Sequence, residues 1–171
     1  WLANIMKDIS KKPEEDRGRT APLPPEKFPD NSFKEALALS ESSRNYNSVN
    51  PKNYMGKYQF GNRRLTDFKK ATKKNFTKKE FLKNPKLQEE VYNYHAKDIN
   101  KFINDNELDF YIGKKIKNIL VTRNGLTAVA HLGGKNGMRK FLQTGGKYNP
   151  EDSNGTSLSD YLNKFKTIGN E

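Results

Sequence analysis

The sequence predicts an α+β fold, mainly α, with a small β-hairpin beside the first core helix. Apolar residues recur at helical spacing over most of residues 32–168, and cap signals and glycine pairs divide that stretch into separate helices. One segment, 45–61, breaks the pattern. It is rich in Asn, Ser, Gly and Tyr and ends in Gly56-Lys57-Tyr58-Gln59-Phe60-Gly61, a glycine-framed aromatic run suited to a hairpin.

Residues 1–30 hold five of the eight prolines, among them Pro22 and the Pro24-Pro25 pair. They read as a proline-rich extended linker, with a short helix over Trp1–Ile9, ahead of one globular domain at 31–171. Asp30 or Ser32 caps the first core helix, on which Phe33, Ala36, Leu37 and Ser40 share a face. Glu41 lies four residues beyond Leu37, at the edge of that face, and Ser42 follows it. In the 56–61 run, strand alternation puts Tyr58 and Phe60 on one face and Gln59 on the other. Asn62 is placed to cap a helix carrying Leu65 and Phe68, and Thr77-Lys78-Lys79-Glu80 fits a capping box. Asn84-Pro85 opens the longest helix, with an apolar stripe of Leu87, Val91, Tyr94, Ile99, Phe102 and Ile103. Shorter helices are expected near 114–122, 125–133, 136–143 and 157–168, with Gly133-Gly134 and Gly145-Gly146 as stops.

The 171 residues include no cysteine, which excludes a disulfide framework and a thiolate metal site. No run approaches the roughly 18 apolar residues of a membrane span, and no signal peptide is visible. The chain opens on Trp1 rather than Met, as a processed product or a piece of something longer would. Basic and acidic residues cancel over 1–30, so the whole net charge of +12 falls on 31–171. A positive domain suits a polyanionic partner: nucleic acid, anionic membrane or anionic cell-wall polymer. The basic residues are dispersed and no nucleic-acid-binding motif accompanies them, so nucleic acid is not the expected partner.

Two features carry chemistry. A glycosidic bond breaks through an oxocarbenium-like transition state, and the leaving oxygen needs a proton from a carboxylic acid. Burial against apolar side chains favours the protonated form of such an acid, and Glu41 stands at the edge of the Phe33/Leu37 face, a place that an ordinary solvated helix end also fits. Gln59 offers directional hydrogen bonds, and Tyr58 and Phe60 offer aromatic surface for a sugar ring or for the core.

Ser40-Glu41-Ser42-Ser43, followed by Gly56-Lys57-Tyr58-Gln59, resembles the lysozyme-like superfamily, specifically the lytic-transglycosylase branch that includes phage-associated members. In that family a helix ends in Glu-Ser, and a Gly-x-x-Gln segment, an Ala-Tyr-Asn-Ala-Gly helix segment and a late tyrosine follow. Ala130-His131-Leu132-Gly133-Gly134 approximates the third element, and Tyr161 in Ser159-Asp160-Tyr161-Leu162 matches the fourth. His131 and Leu132 stand where the family has tyrosine and asparagine.

The resemblance implies a lysozyme-like fold and a peptidoglycan-cleaving enzyme of the cell envelope, secreted or phage-associated. It implies Glu41 as the sole acid/base, closing a 1,6-anhydro ring on the muramoyl sugar. Substrate binding falls to Ser42, Tyr58, Gln59, His131, Gly133 and Tyr161, with the N-acetyl contact made by His131 or by backbone groups. The scheme calls for no metal and no cofactor. The partner is the glycan strand, reached alone or as part of a longer chain or wall-penetrating assembly. His95 reads as structural. Two alternatives stay open. One is a hydrolytic muramidase whose second carboxylate comes from Asp67, Glu89 or Asp98, and the other is a non-catalytic peptidoglycan-binding module. The 45–61 loop holds no carboxylate, which favours the single-acid scheme.

Overall fold

A computed structural model describes residues 32–152 and 154–168; the stretch read as a linker lies outside them. Helix α1 is Ser32–Ser42, α2 is Asn62–Thr72, α3 is Lys78–Leu82 and α4 is Pro85–Asp105. A short 3-10 helix at Leu108–Tyr111 leads to a hairpin in which β1 (Lys115–Ile116) pairs antiparallel with β2 (Ile119–Leu120). Helices α5 (Arg123–Gln143) and α6 (Leu158–Phe165) complete the order. The architecture is mainly helical with one small two-stranded sheet.

Local chemistry sets most helix starts. Thr77 and Glu80 form the capping box of α3, and Asn84 caps α4 by accepting from the Leu87 amide, with Pro85 in the first turn. Thr122 caps α5, and Ser157 with Asp160 forms a second capping box at α6. Asn62 is the first residue of α2 rather than its cap; Gly61 takes that position without a side-chain bond.

Two expectations are corrected. Residues 49–60 form no hairpin strands; single bridges, Val49 to Met55 and Met55 to Phe60, hold a tight loop. Gln59 adopts a left-handed φ of 54°, which ends strand alternation, so Tyr58, Gln59 and Phe60 are all buried. The hairpin lies at 115–120, where a helix was expected. Its two-residue loop, Lys117-Asn118, has φ of 51° and 61°, the positive pair that a type I′ turn requires. The helices expected at 125–133 and 136–143, with a stop at Gly133-Gly134, are present as the two halves of α5, which meet in a kink at non-helical Gly134 (φ 76°).

Helix α4 is the axis of the core. It buries Leu87, Val91, Ile99 and Ile103 and touches α2, α3 and α5. Helix α6 lies along α5, and Gly133 permits the approach, since a Cβ there would sit 2.7 Å from Leu158 Cδ2. Helix α1 closes on α6 through Phe33, whose ring meets Phe165 edge-on at 5.8 Å. That contact sets the last turn of α1 against Tyr161. Among the described residues no helix is long and apolar enough to cross a membrane.

Candidate active site

Glu41, in the last turn of α1, is fully buried. Its Oε1 accepts the Tyr161 hydroxyl at 2.8 Å, and His131 Nε2, from α5, lies 3.5 Å from the same oxygen. Ser40 hydrogen-bonds the Tyr161 hydroxyl and itself accepts from Lys164 Nζ at 2.6 Å. Burial, then the charge of Glu41 and its hydrogen bond, push the Tyr161 phenol well above its usual 10, so it remains a donor. On the other side, His131 Nδ1 lies 3.0 Å from His95 Nε2 on α4. Burial, then the proximity of His131 and the charges of Arg64 and Lys135, hold His95 well below its usual 6.5, so its ring is neutral. Two chains of polar groups thus meet at Oε1 of Glu41. Oε2 has no hydrogen-bond partner among the described residues.

Beside this cluster opens a cleft of about 410 Å³ whose walls include Gln59, Phe60, Asp67, His95, His131 and Gly133. Arg63, Arg64 and Lys135 make its rim basic. Gln59 Nε2 donates to the carbonyls of Gly56 (2.9 Å) and Ser48 (3.3 Å), which leaves its Oε1 without a partner. His95 Nδ1 is likewise buried and unpaired.

Of the residues given a substrate role by resemblance, Gln59, His131 and Gly133 line the cleft, whereas Ser42, Tyr58 and Tyr161 do not, nor does Glu41, the expected acid/base. The hydroxyl of Ser42 donates to the Lys57 carbonyl at 2.6 Å, tying α1 to the Gln59 loop. In the preceding peptide, Gln88 of α4 accepts from the Lys57 amide at 2.8 Å. Gly56 (φ 80°) makes room for this clamp, since a Cβ there would stand 2.3 Å from Gln88 Oε1. Tyr58 donates to Glu89 at 2.8 Å and stacks on Tyr92 at 4.5 Å, so it shapes the loop from behind. Ser42 and Tyr58 therefore act on the loop that presents Gln59, with no surface left for a glycan. Tyr161 meets Glu41 instead of the cleft.

The three carboxylates considered as a second catalytic group separate cleanly. Glu89 is engaged by Lys34, Tyr46, Lys57 and Tyr58. Asp98 holds Arg64 at 2.8 Å and Lys135 at 2.9 Å. Asp67 alone lines the cleft, with no hydrogen bond or ion pair among the described residues. Nor, among those residues, does any group of three or more His, Cys, Asp or Glu side chains stand where it could hold a metal ion.

Sequence reasoning passed over His95, Ser40 and Lys164. One signal for His95 was available: it occupies the middle of the row Leu87, Val91, His95, Ile99, Ile103, four residues apart throughout. Its meeting with His131 is a tertiary contact that no local pattern encodes. Comparison with protein-family models, with curated proteins and with solved structures finds no match to this chain.

Proposed function

We propose that the chain is a lysozyme-like glycosidase that cleaves peptidoglycan by lytic transglycosylation, with Glu41 as its acid/base. The observation that carries this reading is a single, fully buried carboxylate beside a cleft, with polar partners on one oxygen and none on the other among the described residues. A general acid needs that asymmetry: one oxygen is anchored and the other is left to hold the proton.

In the reaction, Glu41 gives its proton to the oxygen between C1 of N-acetylmuramic acid and C4 of N-acetylglucosamine. The C1–O bond breaks, and N-acetylglucosamine leaves with a C4 hydroxyl. The muramoyl 2-acetamido oxygen bonds C1 and takes the positive charge. Glu41, now a carboxylate, removes the C6 hydroxyl proton; O6 bonds C1, the acetamido oxygen departs, and the acid is restored. No water is consumed. Tyr161 holds Oε1 through both proton transfers, and the unpaired Oε1 of Gln59 accepts from a sugar N–H or O–H. The basic rim suits an anionic wall polymer. Because Glu41 does not open on the cleft, the floor at His131 and Gln59 must part until Oε2 is about 3 Å from the glycosidic oxygen.

Asp67 favours a second reading, since an unpaired carboxylate on the cleft wall is what a hydrolytic muramidase needs to activate water. Digestion of purified peptidoglycan by the wild type, Glu41→Gln and Asp67→Asn, read by mass spectrometry, decides between them. Anhydro-muropeptides, one water lighter than hydrolysed ones, that vanish with Glu41→Gln and persist with Asp67→Asn are expected. Hydrated products that vanish with Asp67→Asn move the reaction to the muramidase. Release undiminished by Glu41→Gln removes Glu41 from the chemistry. Tight wall binding without release leaves a non-catalytic binding module.

A further inference from the structure

The family pattern gives His131 a sugar contact and His95 no role, yet both imidazoles face protein. His131 Nε2 approaches Glu41 at 3.5 Å and His131 Nδ1 meets His95 at 3.0 Å, so neither ring nitrogen of His131 is left for a glycan. Phe60 lies edge-on to both rings, 5.2 Å from His95 and 6.1 Å from His131, which restrains their rotation.

The direction of this chain follows from hydrogen-bond accounting. His95 is neutral and carries one N–H, and its Nδ1 is buried with no partner. Buried N–H groups without an acceptor are rarer than unpaired acceptors, which puts the hydrogen of His95 on Nε2. His131 Nδ1 must then accept, so the hydrogen of His131 sits on Nε2 and points at Glu41. The opposite arrangement would set a bare imidazole nitrogen against the carboxylate and leave an N–H orphaned. Oε1 of Glu41 therefore accepts the Tyr161 hydrogen bond and faces the His131 Nε2–H at 3.5 Å, which together occupy the side of Oε1 that a catalytic proton would need.

We propose that His95 and His131 are positioning residues for Glu41: the His95 Nε2–H fixes His131 as its Nε2–H tautomer, which with Tyr161 reserves Oε1 and leaves Oε2 to carry and deliver the proton. This rests on Glu41 being the acid of the reaction proposed above.

The test combines kinetics on soluble glycan fragments with ¹⁵N NMR of the ring nitrogens. His95→Leu is expected to lower kcat about tenfold or more, as loss of the correct tautomer does in other acid/base sites, with KM within about twofold. His95→Gln, whose side-chain amide offers a donor in place of the ring Nε2–H, restores most of kcat. The wild-type spectrum shows both histidines protonated on Nε2. If the wild type is active and Glu41→Gln is dead, but His95→Leu keeps its kcat, the imidazole arm fails and the acid assignment stands. A wild type that releases nothing brings down both. Should His95→Leu not fold, the spectrum decides, because a hydrogen on Nδ1 of either neutral ring overturns the proposal.

Discussion

The loop that presents Gln59 hangs on Glu89, and Glu89→Gln tests how firmly. The carboxylate accepts from the hydroxyls of Tyr46 (2.7 Å) and Tyr58 (2.8 Å) and from Lys57 (3.1 Å), and it is paired with Lys34. Burial would raise its pKa, but the hydrogen bonds from Lys34, Tyr46, Tyr58 and Lys57 outweigh that and hold it at about 2, against an ordinary 4.5. At about 1.4 kcal/mol per pH unit, the drop corresponds to about 3 kcal/mol of folding free energy at neutral pH. Solvent reaches a quarter of the side chain, so screening makes this an upper bound. The folded value lies below the unfolded one, so the stabilisation is complete above pH 4.5 and lost as pH falls toward 2. At pH 3 about two-thirds of it, roughly 2 kcal/mol, has gone. Urea denaturation of wild type and Glu89→Gln at pH 7 and pH 3 gives the two stability gaps, and the titration of every other group cancels between them. The gap is expected to shrink by 1–2 kcal/mol on acidification, within the roughly 2 kcal/mol ceiling. A gap equal at both pH values, within about 0.5 kcal/mol, refutes the assignment of Glu89 as an anion clamped only in the folded state.

Two further outcomes follow from the same geometry. Tyr161→Phe removes the 2.8 Å bond to Glu41 Oε1, and a hydrogen bond to a charged group contributes about 1.5–3 kcal/mol, so kcat should fall about ten- to hundredfold. KM should move little, because the phenol does not line the cleft; an unchanged kcat would show that Oε1 needs no anchor. Gly56→Ala places a Cβ 2.3 Å from Gln88 Oε1 at a φ of 80° and should cost about 2 kcal/mol or more in chemical denaturation. A cost under about 0.5 kcal/mol would mean that Gln88 swings away freely and does not clamp the loop.

The elements that were legible in the sequence are those whose signals are local. The Thr77–Glu80 box, the Asn84 cap with Pro85, and the last helix opened by Ser157 each depend on residues within one turn. The 56–61 run was misread because strand alternation over three residues says nothing about φ. What holds the loop that carries Gln59 at 54° is tertiary: Ser42 and Gln88, fifteen and thirty-one residues away from Lys57, bond its carbonyl and its amide. The 114–122 segment failed for a related reason, because Lys117-Asn118 lacks the glycine that marks most two-residue hairpin loops. At the site, Glu41, Gln59, His131 and Tyr161 were singled out from the sequence, whereas His95 and the Lys164–Ser40 arm emerge only when α4 and α6 are packed.

Glu41 and Glu89 show why the site is incomplete as it stands. Both are withdrawn from solvent, yet Glu89 has donors on both oxygens, whereas the donors around Glu41 all gather on Oε1. Five buried side-chain polar atoms lack a partner among the described residues. Asn50 Nδ2 and Asp152 Oδ2 belong to loops, whereas Gln59 Oε1 and His95 Nδ1 belong to residues that line the cleft and Glu41 Oε2 to one that does not. Gln59 Oε1 and, given the His95 tautomer assigned above, His95 Nδ1 are acceptors, and each costs about 1–3 kcal/mol while unbonded. In the reaction proposed above, a ligand that brings hydroxyl and amide hydrogens into the floor of the cleft would satisfy these acceptors, and an N-acetylated sugar carries both. The same opening that admits those donors would bring Oε2 to the glycosidic oxygen, so that binding and exposure of the acid become one event.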